Sequence, residues 1–211
     1  HMPSMIEMVD STLLIIVDSL NPKQLKKSIT KPYPKVFLLV EFDDTGERTR
    51  KRAVRRACDI FERLAISYTE ASSKQDQDKL WKIRHASANL LAHSEQQNKA
   101  VPGVEDAIVP VDKLPELLLA VQHVGKTIGQ PIAIWGHAGE GNVHIHPYFD
   151  LSKLGDKQLL FKVWREFYDQ VQALGGSSSA SYNDGRIRGA YLPRQYGETG
   201  YTLLAQVKKI F

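Results

Sequence analysis

An α+β domain is what this sequence predicts: a mainly antiparallel sheet with helices packed on one face and ferredoxin-like elements. Three observations lead there. Short runs rich in β-branched and aromatic residues alternate with longer stretches of helical periodicity. The alternation lacks the long strand–helix–strand regularity of a doubly wound parallel sheet. Two of the strand runs, 131–137 and 142–149, are joined by a short glycine-rich link, as in a hairpin.

Taken in order, residues 35–42 (KVFLLVEF) predict a buried strand, ended by the turn-like Asp43-Asp44-Thr45-Gly46. An arginine-rich helix follows to about residue 65, with Val54, Ala57, Cys58, Phe61 and Leu64 at helical spacing. A second strand is expected at about 66–70 and a helix at about 75–93. Residues 96–105 form a polar loop with Pro102 and Gly103, leading to a short strand at 106–110. Asp112 is placed to cap a helix with the apolar stripe Leu114, Leu117, Leu118 and Val121, and Pro115 is tolerated in its first turn. Beyond the hairpin, a long amphipathic helix covers about 155–174, with Leu159, Leu160, Val163, Trp164, Phe167 and Val171 on one face. Residues 175–183 are serine-rich and fit a strand or an ordered loop, and a final helix runs through about 200–210.

Composition narrows the class. With 211 residues, 42% hydrophobic and 25% charged, the chain can bury a substantial core and has the balance of a soluble globular protein. No apolar run approaches the roughly 20 residues of a membrane-spanning helix, and nothing near the N-terminus reads as a signal peptide. The single cysteine, Cys58, excludes an internal disulfide and a cysteine-cluster zinc site and agrees with a cytoplasmic location. His1-Met2 reads as a cloning remnant, leaving 3–211 as one domain. The net charge of +4 is uneven, because Arg48, Arg50, Lys51, Arg52, Arg55 and Arg56 crowd one helix. Such a face is either simply solvated or a docking patch for an anionic partner, such as an electron acceptor or a membrane at which the protein is peripheral. No recognition motif points to nucleic acid, and no Gly-x-Gly-x-x-Gly or Walker loop supplies a nucleotide site.

The stretch Trp135-Gly136-His137-Ala138-Gly139-Glu140-Gly141-Asn142-Val143-His144-Ile145-His146 holds the most chemistry. A two-residue link at Glu140-Gly141 would set His137 directly opposite His144 and Trp135 opposite His146, all on one face. Directly opposed Cβ atoms lie about 4.5–5.5 Å apart, close enough for two imidazoles to share a cation. Two or three histidines without cysteine suggest a metal with an open position, although paired strand histidines are also common as core or surface residues. The glycines at 136, 139 and 141 suggest a backbone shaped for close approach.

Residues 136–144 resemble the Gly-His-x-Gly-Asp-Gly-Asn-x-His motif of FAD-linked oxidases, the group of D-lactate dehydrogenase, glycolate oxidase and D-2-hydroxyglutarate dehydrogenase in the vanillyl-alcohol oxidase superfamily. Trp81-Lys82-Ile83-Arg84 is similar to the family's Trp-x-x-Arg, and residues 105–115 to its Glu-Asp-x-x-Val-Pro stretch. Gly175-Gly176-Ser177, Asp184-Gly185-Arg186 and Tyr191-Leu192 follow its closing motif, so the likeness covers nearly the whole chain. The resemblance implies the substrate-side, C-terminal domain of an FAD-dependent 2-hydroxy-acid dehydrogenase. It implies a divalent metal such as zinc or manganese on His137 and His144, and Arg84 and Lys99 on the substrate carboxylate. His146 falls at a substrate-side position and Asn142 at a flavin-facing one.

The sequence departs from the family where a Gly-Glu-His-Gly is normal: here Ser181 stands for the third metal ligand and Tyr182 for the base. A serine hydroxyl is a poor ligand beside a carboxylate, and a phenol is a poor base beside an imidazole. Family function therefore carries over more safely than family mechanism. The family's FAD-binding domain would precede this region, and an Asn-Pro-Gly-type tail would follow Phe211, so the chain reads as a fragment, inactive by itself. Its partners are then a small 2-hydroxy acid, its own FAD-binding domain and an electron acceptor. A degenerate, non-catalytic binding or assembly domain is the alternative, and a free-standing metal-binding module a weaker third.

Overall fold

The computed structural model describes residues 2–26, 28–43, 46–92, 99–101 and 106–211, without the side chains of residues 24, 88–92 and 99. The fold is α+β, and the chain forms two compact units, residues 1–90 and 91–211.

In the first unit β1 (Met5–Asp10) pairs antiparallel with β2 (Val36–Glu41), Met5 opposite Glu41 and Asp10 opposite Val36. Asp10 ends the strand and opens α1 (Ser11–Leu20), its carboxylate accepting the Leu13 N–H at 2.9 Å as a side-chain N-cap. The core holds Met8, Val9, Leu13, Leu14 and Val17, with Leu25 from the short α2 (Pro22–Leu25). Helix α3 (Glu47–Arg63) forms where expected, with Arg48, Arg50, Lys51, Arg52, Arg55 and Arg56 exposed. Its predicted apolar stripe is not buried: Val54, Ala57, Cys58 and Phe61 are half-buried, Leu64 is exposed beyond the helix end, and Ala53 is the buried residue. Helix α4 (Lys74–Ala92) buries Ile83, Arg84, Ala86 and Ser87. The strand expected at 66–70 does not form. Residues 62–70 are exposed throughout, so their apolar side chains have no face to bury.

In the second unit β6 (Asn142–Phe149) is the central strand. It pairs antiparallel with β3 (Lys99–Ala100), β4 (Ala107–Ile108) and β5 (Ile132–His137), and all 8 of its residues are buried. Strand alternation sorts the side chains. Ile132 and Ile145 point to the face covered by α5 (Leu114–Ile128) and α6 (Leu154–Ala173), meeting Leu117, Val121, Val163 and Phe167. Trp135, His137, Asn142, His144 and His146 share the other face. Asp112 does not cap α5, because Val111–Lys113 form a 3-10 turn and no side chain caps the helix; Pro115 sits in its first turn as expected. The serine-rich stretch is a loop, tied to β4 by paired bonds between Ile108 and Ser177 of 3.0 and 2.8 Å. After a single turn, α7 (Gly185–Arg188), the last helix α8 (Leu192–Ile210) starts earlier than predicted and bends at Gly197. No helix among the described residues is long and apolar enough to cross a membrane.

Candidate functional site

The hairpin register corrects the expected one. Trp135 pairs with His144, Ala133 with His146 and His137 with Asn142, across a link of four residues, 138–141. The predicted two-residue link fails because Ala138–Glu140 wind into a 3-10 turn that Gly141 closes at φ 75°. Gly141 is required there: a Cβ would lie 2.0 Å from the Val109 carbonyl oxygen, and the Val109 N–H donates to the Gly141 carbonyl at 3.1 Å. Close approach is thus to the protein's own backbone. The slip is an even number of residues, so the shared face survives it.

On that face the rings form a layer. The Trp135 indole stacks on His144 with centroids 4.1 Å apart and lies nearly parallel to His146 at 5.9 Å. His137 meets His144 edge-on at 6.0 Å, and the Tyr182 ring lies 5.8 Å from His144. His144 and His146 are fully buried, whereas Tyr182, at the rim, is 60% exposed. Burial, reinforced by the neighbouring His144, pushes the His146 imidazole down to about 4, so it is neutral at pH 7.

A carboxylate that the sequence reading assigned no role organises the rim. Asp106, with no exposed surface and φ 66°, accepts the Ser181 N–H at 2.8 Å and the Tyr182 N–H at 2.6 Å. The buried Arg188 approaches the same carboxylate at 3.3 Å and donates to the Tyr182 and Asn183 carbonyls at 2.9 and 2.8 Å. Asn142 donates to Asp106 at 3.3 Å and to the Ala107 carbonyl at 2.9 Å. The signal available was the Glu105-Asp106 motif itself. Arg186, part of the closing motif, is exposed, and Arg188 takes the buried position beside Asp106.

The remaining expected residues fall less simply. Arg84 is buried in the first unit, its Nε donating to Glu7 at 2.5 Å and Nη1 to the Ser87 hydroxyl at 3.2 Å. Lys99 lies on β3 opposite Phe149, with its side chain outside the described residues. Asn142, expected to face the flavin, is 1% exposed and spends its amide on Asp106, Ala107 and Ser181.

The donor set does not fit the divalent metal that the motif implies. A catalytic site of this kind takes three protein ligands. At the third position the Ser181 hydroxyl donates to Asn142 Oδ1 at 3.1 Å, and the Asp106 carboxylate is already met by two amides, Asn142 and Arg188. Among the described residues no group of three or more His, Cys, Asp or Glu is arranged to hold a metal ion.

The family model described as "FAD linked oxidases, C-terminal domain" matches residues 1–211. The chain belongs to this family. It is 22% identical over 209 residues to the glycolate oxidase subunit GlcD of Bacillus subtilis, covering 99% of this chain and 43% of that protein. It is 31% identical over 147 residues to the D-lactate dehydrogenase of Archaeoglobus fulgidus, covering 70% of this chain and 31% of that protein. A D-2-hydroxyglutarate dehydrogenase of Pantoea ananatis is 23% identical over 219 residues, 98% of this chain and 21% of the relative. The FAD-linked oxidase domain thus spans less than half the length of these curated relatives.

Proposed function

We infer that this chain is the substrate-side domain of an FAD-dependent 2-hydroxy-acid dehydrogenase, acting on a small acid of the D-lactate or glycolate kind. Its partner is the FAD-binding domain of the same protein. The observation that carries this reading is the His137–His144–Trp135–His146 layer with Tyr182 at its rim, built on the family motif. In such an enzyme the flavin takes up the hydride. This chain's part is to receive the hydroxy acid and take charge of its proton. Tyr182, the exposed member of the layer, faces the substrate hydroxyl, and the neutral His146 supports the layer from its buried side. The family resemblance assigns Arg84 and Lys99 to the substrate carboxylate; within its own unit Arg84 is buried with its Nε on Glu7.

A second reading has one observation in its favour: Ser181 and Tyr182 stand where the family resemblance expects a glutamate and a histidine. On that reading the domain binds or assembles without turnover. Anaerobic mixing of the full-length protein with D-lactate, glycolate and D-2-hydroxyglutarate, followed by flavin absorbance, separates the two. Flavin bleaching is expected, with kcat/KM lowered at least about tenfold by Arg84→Lys because the planar fork is lost. A flavin that stays oxidised with all three acids rejects the dehydrogenase reading. The chain by itself is expected to be folded, colourless and inactive, and stoichiometric yellow flavin on it would contradict the assignment of the cofactor to the partner domain.

A further inference from the structure

We propose that Asp106 is a positioning residue, whose buried carboxylate, braced by Arg188, fixes the backbone of residues 181 and 182 and so sets the Tyr182 ring against His144. The inference rests on the functional reading of Tyr182 given above. Loops of this composition gain little order from their own side chains: Ser181, Tyr182 and Asn183 are all exposed. Their geometry is imposed from below. One carboxylate takes two successive amides, at 2.8 and 2.6 Å, and one guanidinium takes the two carbonyls that follow, at 2.9 and 2.8 Å. Bonds to an ionised partner are about twice as strong as neutral ones, so the arrangement holds the peptide planes on either side of Tyr182.

Two further contacts extend the same device. Arg188 Nε reaches Asp184 at 3.3 Å, and Asp184 accepts the Ser179 hydroxyl at 2.6 Å. The Ser181 hydroxyl donates to Asn142, which itself donates to Asp106, so the loop is also fastened to the first residue of β6. Where the family resemblance expects a metal ligand and a base side by side, this chain secures the loop by charge on its backbone. The φ of 66° at Asp106 is one that Asp and Asn tolerate, so Asp106→Asn changes the charge and the acceptor pattern while leaving the local backbone its conformation.

The test uses the full-length protein. Hydrogen exchange, read by mass spectrometry, is expected to quicken at least about tenfold at the amides of 181 and 182 in Asp106→Asn, and less than about twofold at 144–149. Unchanged exchange at 181 and 182, or a uniform rise through the second unit, overturns the proposal. A double-mutant cycle then asks whether Asp106 acts through the tyrosine. Asp106→Asn is expected to lower the rate of flavin reduction at least about tenfold alone, and less than about twofold when added to Tyr182→Phe. Fully multiplicative effects overturn the positioning role. An unchanged rate in Tyr182→Phe alone removes the functional reading of the tyrosine, and the exchange result then decides the loop anchor by itself. Should Asp106→Asn not fold, Arg188→Lys keeps the charge but loses the planar guanidinium that holds the two carbonyls through Nη2 and Asp184 through Nε, and is read at the same amides.

Discussion

In the first unit Arg84 meets Glu7 and in the second Arg188 meets Asp106, each pair buried, with side chains 5–10% exposed in one and 0–5% in the other. They differ in what surrounds the ions. Arg84 divides its donors between Glu7 and a serine hydroxyl, linking the side chains of a strand and a helix. Asp106 and Arg188 instead serve backbone: two amides and two carbonyls of one loop close on them. A pair that joins side chains can be exchanged for apolar groups of similar volume, whereas one that satisfies main chain cannot, because the peptide groups remain.

The largest effect follows directly. Arg84→Met and Arg188→Met should each cost about 3–5 kcal/mol, by leaving a carboxylate buried without its cation. Adding Glu7→Leu to the first should recover at least half of the loss. Adding Asp106→Leu to the second should not, since the amides of Ser181 and Tyr182 then lose their acceptor at about 1–3 kcal/mol each. Urea unfolding of the four variants measures this, and equal recovery in both units would erase the distinction.

His146 solves burial a third way, by remaining neutral. Its folded value of about 4 lies below the ordinary 6.5, so between those values the unfolded chain binds the proton more readily. Stability is therefore complete above about pH 6.5 and falls as the pH drops towards 4, by about 3 kcal/mol at about 1.4 kcal/mol per pH unit. His146→Phe, which keeps an aromatic ring beside Trp135, should flatten that decline. A variant whose unfolding free energy falls as steeply as the parent's between pH 7 and pH 4 would place the titrating group elsewhere.

The same contrast explains what the sequence made legible. Periodicity gave α4, α6 and both strands of the hairpin, because those elements bury one face and expose another, or sit wholly in the core. It gave α3 as a helix but not its burial, since only Ala53 of it is buried. It also gave the common face of Trp135, His137, His144 and His146, which depends only on the strand period of two. The register did not follow, since the link is a 3-10 turn whose closing residue, Gly141, lies close against the backbone of Val109, 32 residues distant in the chain. Missing for a related reason were Met5–Asp10 and Ser11–Leu20, a strand and helix whose junction is a single Asp10 cap. Arg84 was legible as a motif residue, but its commitment to Glu7, 77 positions away, was not. Asp106 shows the limit most clearly, because its partners at 142, 181, 182 and 188 are brought together only by the fold.

The smallest expected effect tests the third ligand position. His137 and His144 present two imidazoles with centroids 6.0 Å apart, and Ser181 adds a hydroxyl that is already bonded to Asn142. Zinc gains most from anionic oxygen or sulfur beside neutral nitrogen, so two imidazoles with a neutral hydroxyl should bind it weakly. Ser181→Glu adds the carboxylate while its main-chain amide can keep its bond to Asp106, which leaves the loop anchor in place. Calorimetric titration of the two proteins with zinc should then show at least about a tenfold gain in affinity for the variant, equivalent to about 1.4 kcal/mol. A His137→Ala change in the same background should remove that gain if the new carboxylate works with the hairpin imidazoles. If the gain survives that change, the added glutamate has found other partners, and the hairpin pair has no part in metal binding even when a third donor is supplied.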